Sequence, residues 1–551
     1  MEIWVVAGAT VVLLAIVLTV KNRMDAQKRE NKIKQAFGTV PTGSAGKNAA
    51  HSFWKGYENS GKLPPKHIDA LTWADLDMDE IFFRLNTSQS TVGDVWQYAA
   101  LHLPAEEEKI KTRNKRVQCF EQEAELRLKT QVAFAKLGRR NMAELQTSAF
   151  DAGQMRFKNR TLYWILAFAP FIAIVLFFVS YQVAGLWLLF ALMANFALTM
   201  MAKAKNAGNF YSVRYISGML ATGKKLAKLL QDVLPEDAQR LREQQKNFLS
   251  FRKSLRMLTF DQMVESTGLP NPTSLFLLPI LSYAKLAETL VKKQEQMMEL
   301  IELLGELELA ICTASFRESL PDSYTEPDFV KDETIEMEGM YHPLLEEPVT
   351  NSAHFAKDVL ITGSNASGKS TFIKAVAINC ILAQTIGSCT AQGFALHPGM
   401  VVSSMAVEDN IIDGDSYFVA EIKSMKRLIQ KAEAEYCYLF VDEILKGTNT
   451  IERVAASASV LHYLSGLPGV CMAATHDIEL TQMLKEIYEN KHFEETVEGQ
   501  GVLCNYQLKD GPATGRNAIR LLSVLGFPQT ITSKSNHLVQ EFEETGLWGA
   551  L

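Results

Sequence analysis

Apolar positions are unevenly spread along the chain, and their pattern changes three times. Ile3 to Val20 is a run of eighteen residues without a charge, closed by Lys21, Asn22 and Arg23. That length just spans a bilayer. A cleaved signal peptide would want a basic start, but Met1-Glu2 precedes the run and the basic flank follows it. The segment reads as a retained anchor with its N-terminus outside, because positive charge stays cytoplasmic. A second apolar block, Leu162 to Met201, holds forty residues without a charge. Broken near Ser180-Tyr181-Gln182 and Gly185, it predicts a helical hairpin with a short outer turn. Arg156, Lys158 and Arg160 precede it and Lys203 and Lys205 follow, so both ends are expected in the cytoplasm.

The segments between these blocks are polar and helical in pattern. Lys47 to Pro65 is loop-like, with Gly, Ser, Asn and Pro. The acidic cluster within Ile68 to Phe82 could suggest a metal site, but carboxylates near a helix start favour its dipole. Glu106 to Arg140 carries the dense mixed charge of a solvated helix. Ala238 to Leu258 and Ser282 to Thr313 predict further long helices. Around Glu326-Pro327 the pattern becomes short β-type runs with glycine punctuation. The expected architecture is an all-α helical core with three transmembrane helices, followed by an α/β P-loop domain. Its expected parts are residues 1–23 (anchor), 24–160 and 203–329 (helical core), 161–202 (hairpin) and 330–551 (nucleotide domain).

At 551 residues the chain exceeds one core. Its net charge of −6 supplies no global basic field, so any nucleic-acid contact needs a local patch or a shape-matched cavity. The seven cysteines are scattered without a C-x-x-C pair, which argues against a disulfide framework or a zinc site.

The candidate chemistry lies in the last third. Val359-Leu360-Ile361 leads into Thr362-Gly363-Ser364-Asn365-Ala366-Ser367-Gly368-Lys369-Ser370-Thr371, and helix formers follow. This is the G-x-x-x-x-G-K-[ST] spacing of a phosphate-binding loop. Gly363 and Gly368 let the backbone N–H groups turn toward phosphate oxygens, and the helix N-terminus adds its dipole. Lys369 is expected on the β/γ-phosphates of ATP and Ser370 on Mg²⁺. The apolar run Tyr438 to Val441 ends in Asp442-Glu443. Asp442 suits the Mg²⁺ shell, and Glu443 suits positioning or activating the attacking water. A third run, Val470 to Ala474, ends in Thr475-His476, where the imidazole can reach the γ-phosphate.

With these residues in this order, Glu338 to Pro528 resembles the ATPase domain of the MutS family of DNA mismatch-repair proteins, which is related to ABC-type ATPases. Further matching pieces are Tyr341 to Glu346, Ala383 to Ser388, Asp413 to Glu421, Asp442 to Thr450, Lys509 to Ala513, and Leu525 to Pro528. More weakly, Ile81 to Leu103 looks like the start of the family's helical core and Leu300 to Pro327 like the helix that leads into its ATPase. The resemblance implies ATP hydrolysis with Mg²⁺ and two ATPase domains pairing head to tail as a homodimer. It also implies Ser416 reaching the partner's γ-phosphate and Tyr506 stacking on adenine.

Several positions depart from the family pattern. Asp415 and Lys446 stand where the family commonly has arginine, and Ala366-Ser367 replaces its Met-Gly. The mismatch-reading Gly-x-Phe-x-Glu wedge does not occur in this sequence, and a hydrophobic hairpin interrupts the helical core. The expected function is a membrane-anchored ATPase driving a helical clamp, with DNA binding implied by the family. The alternative is a membrane ATPase or transporter-like machine acting on a protein or solute. Spans without an internal charge argue against a path for a charged solute.

Overall fold

The computed structural model describes residues 2–551 apart from 141–143, 157–158, 250, 252–253, 255–256, 259–270, 365–366, 406–416, 499–500, 514–517, 525, 547 and 549–551. It divides into two units. One comprises Met1–Pro65, Phe83–Ala100 and Thr112–Ser319; the other comprises Lys66–Phe82, Leu101–Lys111 and Leu320–Leu551.

The first unit is helical. Its central element is the helix Gln294–Glu318, buried along most of its length. Two of its carboxylates face inward. Glu306 takes a charged fork from Arg113 and the Trp96 indole N–H, while Arg116 bridges it to Asp237. Glu308 accepts from the Gln89 N–H at 2.6 Å and from the Ser90 hydroxyl. Burial is the main cause that raises its pKa, to about 8.

Two helices among the described residues, Ala152–Phe177 and Tyr181–Lys205, are long and apolar enough to cross a membrane. Three residues, 178–180, join them, so the break falls two residues before the expected Ser180-Tyr181-Gln182, and Gly185 lies inside the second helix. Phe178 and Val179 at the tip are 85% and 82% exposed. The polar groups point inward. Asn195 donates to the Leu166 and Leu275 carbonyls at 3.1 and 3.0 Å, and Thr199 to the Ser274 carbonyl at 3.0 Å. Satisfying polar groups internally is what an apolar surrounding demands. The first apolar run lies in the helix Glu2–Ala36, where most side chains up to residue 20 fall outside the described residues. Against the expectation of three spans, two helices among the described residues have the length and composition to cross a membrane.

The second unit is α/β. Strands β1 (Asp328–Phe329), β2 (Ile335–Met340), β3 (Asn351–Phe355) and β5 (Gly393–Leu396) form a small sheet in the order β1-β5-β2-β3. The main sheet takes β4 (Asp358–Thr362), β6 (Met400–Ser404), β7 (Cys437–Asp442), β8 (Gly469–Thr475), β9 (Tyr488–Glu498) and β10 (Gly501–Asp510) in the order β10-β9-β4-β8-β7-β6. All its pairs are parallel except β9 with β10. β4 and β6 are buried at every position, as expected where both faces of a parallel sheet are covered. The order places β8 between β4 and β7, with Thr362 opposite Thr475 and Asp442 opposite Ala474. Three carboxyl ends thus meet at one edge.

The acidic segment before Phe82 belongs to this unit and is used structurally. Asp69 caps its helix through the Thr72 N–H, and Asp75 accepts from the Ser403 hydroxyl and Met405 N–H. Asp77 pairs with Lys374, and Asp79 accepts from the Trp73 indole. No grouping of three potential metal ligands occurs among the described residues.

Candidate functional site

β4 stops at Thr362, and the helix Lys369–Thr385 starts seven residues later. Two glycines make this turn. Gly363 (φ 141°) would bring a Cβ to 2.8 Å from the Phe493 carbonyl, and Gly368 (φ 97°) would bring one to 2.9 Å from the Tyr506 ring. The Ser367 hydroxyl closes the loop on the Ser364 carbonyl at 2.7 Å. Lys369, almost fully buried, donates to the Gly363 and Ser364 carbonyls at 2.6 Å each. Its ammonium is therefore held over the loop rather than extended into solvent. Thr371 lies on the first turn of the helix, and Asn365 and Ala366 lie outside the described residues.

Ser370 donates to Asp442 Oδ2 at 2.5 Å, which ties the start of this helix to the end of β7. Asp442 Oδ1 is buried and accepts no hydrogen bond. A carboxylate oxygen in that state is costly unless something satisfies it. Together with the Ser370 hydroxyl it makes a hard-oxygen donor set of the kind Mg²⁺ takes, so the residues present fit the expected ion.

Glu443 follows in a left-handed conformation (φ 57°), as does Leu445 (φ 57°). Such backbone costs of order 1–3 kcal/mol per residue and persists where surroundings over-determine it. Here the Glu443 N–H donates to the Ala474 carbonyl at 3.0 Å, pinning the turn to β8. The carboxylate is gripped on both oxygens, by His476 Nε2 at 2.7 Å and Lys446 Nζ at 2.6 Å. Partial burial pushes its pKa up, but His476 and Lys446 outweigh that and hold it at about 2. A carboxylate so placed stays ionised at every physiological pH. Next to His476, Asp477 takes a two-pronged contact from Arg453 at 3.0 and 2.6 Å.

The structure thus brings Lys369, Ser370, Asp442, Glu443 and His476 to one sheet edge. Ser416 and Asp415 lie outside the described residues.

Residues 359–543 match the family model for MutS domain V. Over these residues the chain is similar to MutS domain V. It is 29% identical over 280 residues to the DNA mismatch repair protein MutS of Lactobacillus johnsonii, covering 48% of this chain and 32% of that one. To its counterpart from Lactococcus lactis subsp. cremoris it is 30% identical over 227 residues, 39% of this chain and 27% of the relative. The Halalkalibacterium halodurans protein gives 29% over 258 residues, 44% and 29%. The chain spans about a third of the length of these relatives.

Beside the loop, the α/β unit has a cavity of about 370 Å³, lined by Tyr341, His342, Thr371, Phe372, Phe493 and Tyr506 among others. Tyr506 sits at a bulge where the pairing of β10 with β9 slips between Cys504 and Leu508, and its φ is 53°. Asn351 pins that bulge. Its amide donates to the Tyr506 carbonyl at 3.0 Å and its oxygen accepts from the Leu508 N–H at 2.8 Å. Bulges re-aim side chains, and this one sets the Tyr506 ring against Gly368. His342 is kept neutral, because burial and the Lys374 charge lower its pKa to about 4. An aromatic-lined cavity of this size, with Glu347 as its one acidic lining residue, suits a flat heterocycle.

Sequence reasoning assigned no individual role to Asn351 or Glu421. Glu421 lies in the helix Tyr417–Ala434 and accepts from the Lys446 and Gly447 N–H groups at 3.0 and 3.4 Å. It holds the strained turn that carries Glu443. Glu421 did fall inside a motif shared with the family, but nothing in its spacing named the turn as its target.

Proposed function

We propose that this chain is a membrane-anchored, MutS-like ATPase that works as a homodimer, each domain completing the other's site. The observation that carries the reading is the convergence of Lys369, the Ser370–Asp442 pair and the Glu443–His476 pair at the edge of one parallel sheet. In this reading the loop residues 363–371 cradle the phosphates and Lys369 neutralises them, while Tyr506 stacks on adenine. Ser370 and Asp442 would hold Mg²⁺, which would supply positive charge to offset that of the phosphates. Glu443 accepts a proton from the attacking water, and His476 orients that carboxylate and reaches the γ-phosphate. Ser416 acts from the partner chain on the γ-phosphate.

The domain spans expected from the sequence belong to this proposal, with residues 21–160 and 203–551 in the cytoplasm and the N-terminus outside. The exposed apolar hairpin supports membrane insertion, and the N-terminal run supplies the third span. DNA as the clamped partner is carried over from what the relatives are called. The hairpin equally suits a membrane machine that moves a protein or solute. Salt-dependent binding of duplex or branched DNA separates the two.

Mixing tests the composite site. A Lys369→Ala chain keeps Ser416 and loses its loop; a Ser416→Ala chain does the reverse. Each should be inactive alone, and ATP hydrolysis should partly return when they form heterodimers. No recovery in demonstrated heterodimers overturns the shared site.

A further inference from the structure

The C-terminal end of the helix Ala124–Leu137 and the middle of the helix Ala207–Leu229 meet around a cavity of about 470 Å³ in the helical unit. The close approach needs Gly218, where a Cβ would stand 2.7 Å from a Leu137 methyl. Four cationic residues line the cavity: Lys136, Arg139 and Arg140 from the first helix and its exit, and Arg214 from the second. Tyr211 and Tyr215 complete the wall.

Cations at a helix C-terminus are ordinary, since they offset its dipole. That accounts for Lys136, Arg139 and Arg140 but not for Arg214, which comes from the interior of another helix. Arg139 is matched by Asp94, in a two-pronged contact at 2.8 and 2.9 Å. No carboxylate lies at ion-pair distance from Lys136, Arg140 or Arg214 among the described residues. The remaining charges repel one another. Burial and then Arg140 lower the Arg214 pKa, and burial and then Lys136 lower that of Lys225. The walls are fixed independently of those charges. The Tyr215 hydroxyl donates to the Gly138 carbonyl at 3.3 Å and accepts from the Val92 N–H at 3.1 Å. The Arg140 backbone N–H donates to Thr91 Oγ1 at 2.8 Å, leaving its guanidinium toward the cavity. Lys136, Arg140 and Arg214 are solvent-exposed but line one cavity, so an anion bound there would meet positive charge from both helices. Two guanidinium forks suit the several oxygens of a phosphoryl group.

We propose that this cavity binds a phosphate monoester or pyrophosphate group, carried by an acidic lipid headgroup or by a small soluble phosphate. Arg214 lies seven residues past Ala207, the start of the helix that follows the hairpin's Lys205, about 10 Å along that helix. The lipid source therefore rests on the membrane reading above; the soluble source does not.

The test uses the full chain carrying Lys369→Ala, so that the phosphate loop does not compete. Calorimetry with inorganic pyrophosphate should show a site weakened about tenfold or more by Arg214→Ala or Arg140→Ala, and largely kept by Arg214→Lys. Arg140 and Arg214 are both exposed, so the two variants test the site independently, and Arg140→Ala decides if Arg214→Ala disturbs its helix. Binding unchanged in Arg140→Ala overturns the proposal. Displacement of pyrophosphate by duplex DNA at lower phosphate concentration also overturns it, by making the cavity part of a nucleic-acid surface. Flotation separates the sources. Retention on phosphatidylcholine vesicles reports the hairpin alone, while a gain with phosphatidic acid that Arg140→Ala removes reports the cavity on a lipid. Pyrophosphate binding without that gain assigns the site to a soluble phosphate, and the proposal stands.

Discussion

Lys446 Nζ stands 2.6 Å from Glu443 Oε2, on the carboxylate oxygen opposite the one that His476 reaches. The pair divides control of one carboxylate between a fixed ring and a flexible, half-exposed ammonium. Glu443 has its pKa held down, so its ionised form is present above the ordinary carboxylate range and is lost only as pH falls toward 2. Removing Lys446 takes away one lowering influence and leaves burial, which raises. Lys446→Ala should therefore move the acid limb of the kcat/KM profile for ATP upward. Glu443→Gln should bind ATP yet turn it over at least about a hundredfold more slowly, the usual contribution of a positioned base. An acid limb that stays in place would show that Lys446 does not govern Glu443 during turnover.

Asp442 Oδ1 is the second handle. It is buried without a partner, while Oδ2 holds Ser370. If a cation completes this site, Asp442→Asn should narrow the gap between nucleotide affinity in Mg²⁺ and in EDTA. Titration of a fluorescent ATP analogue under both conditions measures that gap. A gap equal to that of the unaltered chain would remove Asp442 from the metal shell.

Glu308 makes the helical unit pH-sensitive. Its folded pKa is raised to about 8, chiefly by burial, above the value of an exposed glutamate. The stability that protonated Glu308 contributes is full below the unfolded pKa and is lost as pH rises through about 8. Glu308→Gln keeps an acceptor for Gln89 and Ser90 without the titration. Its thermal midpoint should fall less between pH 5 and 9 than that of the unaltered chain, a window set by the ordinary and raised carboxylate pKa values. Parallel curves would contradict this.

The loop, the Asp442-Glu443 end of β7 and the His476 end of β8 were legible because each is an apolar run followed by a chemically constrained turn. The hairpin was legible from length alone. Other features were not, because they depend on pairs far apart in the chain. Asn351 pins Tyr506 across 155 positions, and Glu306 meets Arg113 across 193. Spacing within a segment cannot name such partners. The buried acids Glu306 and Glu308 read in sequence as polar interruptions of an apolar helix; only their partners show why burial is tolerated. The acidic cluster before Phe82 shows the converse, since Asp69, Asp75, Asp77 and Asp79, which resemble a metal site in sequence, are engaged by a cap, an ion pair or hydrogen bonds.

Glu421 offers the most discriminating test of how the candidate site is driven. The helix Tyr417–Ala434 starts immediately after Ser416, and Glu421 sits in its second turn. From there its buried carboxylate receives the Lys446 and Gly447 N–H groups, so the strained turn bearing Glu443 hangs from this helix. A pull on the helix from the partner's phosphate would reach Glu443 through two hydrogen bonds. Glu421→Ala removes both while touching neither Lys369 nor the base cavity. Hydrogen bonds to a charged acceptor contribute about 1.5–3 kcal/mol, so kcat should fall roughly ten- to hundredfold. The Kd for ATP should stay nearly constant, and Glu421→Gln should lie between, since an amide oxygen still accepts. Steady-state kinetics beside equilibrium nucleotide binding separates the effects. If affinity and kcat fall together, with a lowered thermal midpoint, Glu421 supports the domain as a whole and does not position the catalytic turn.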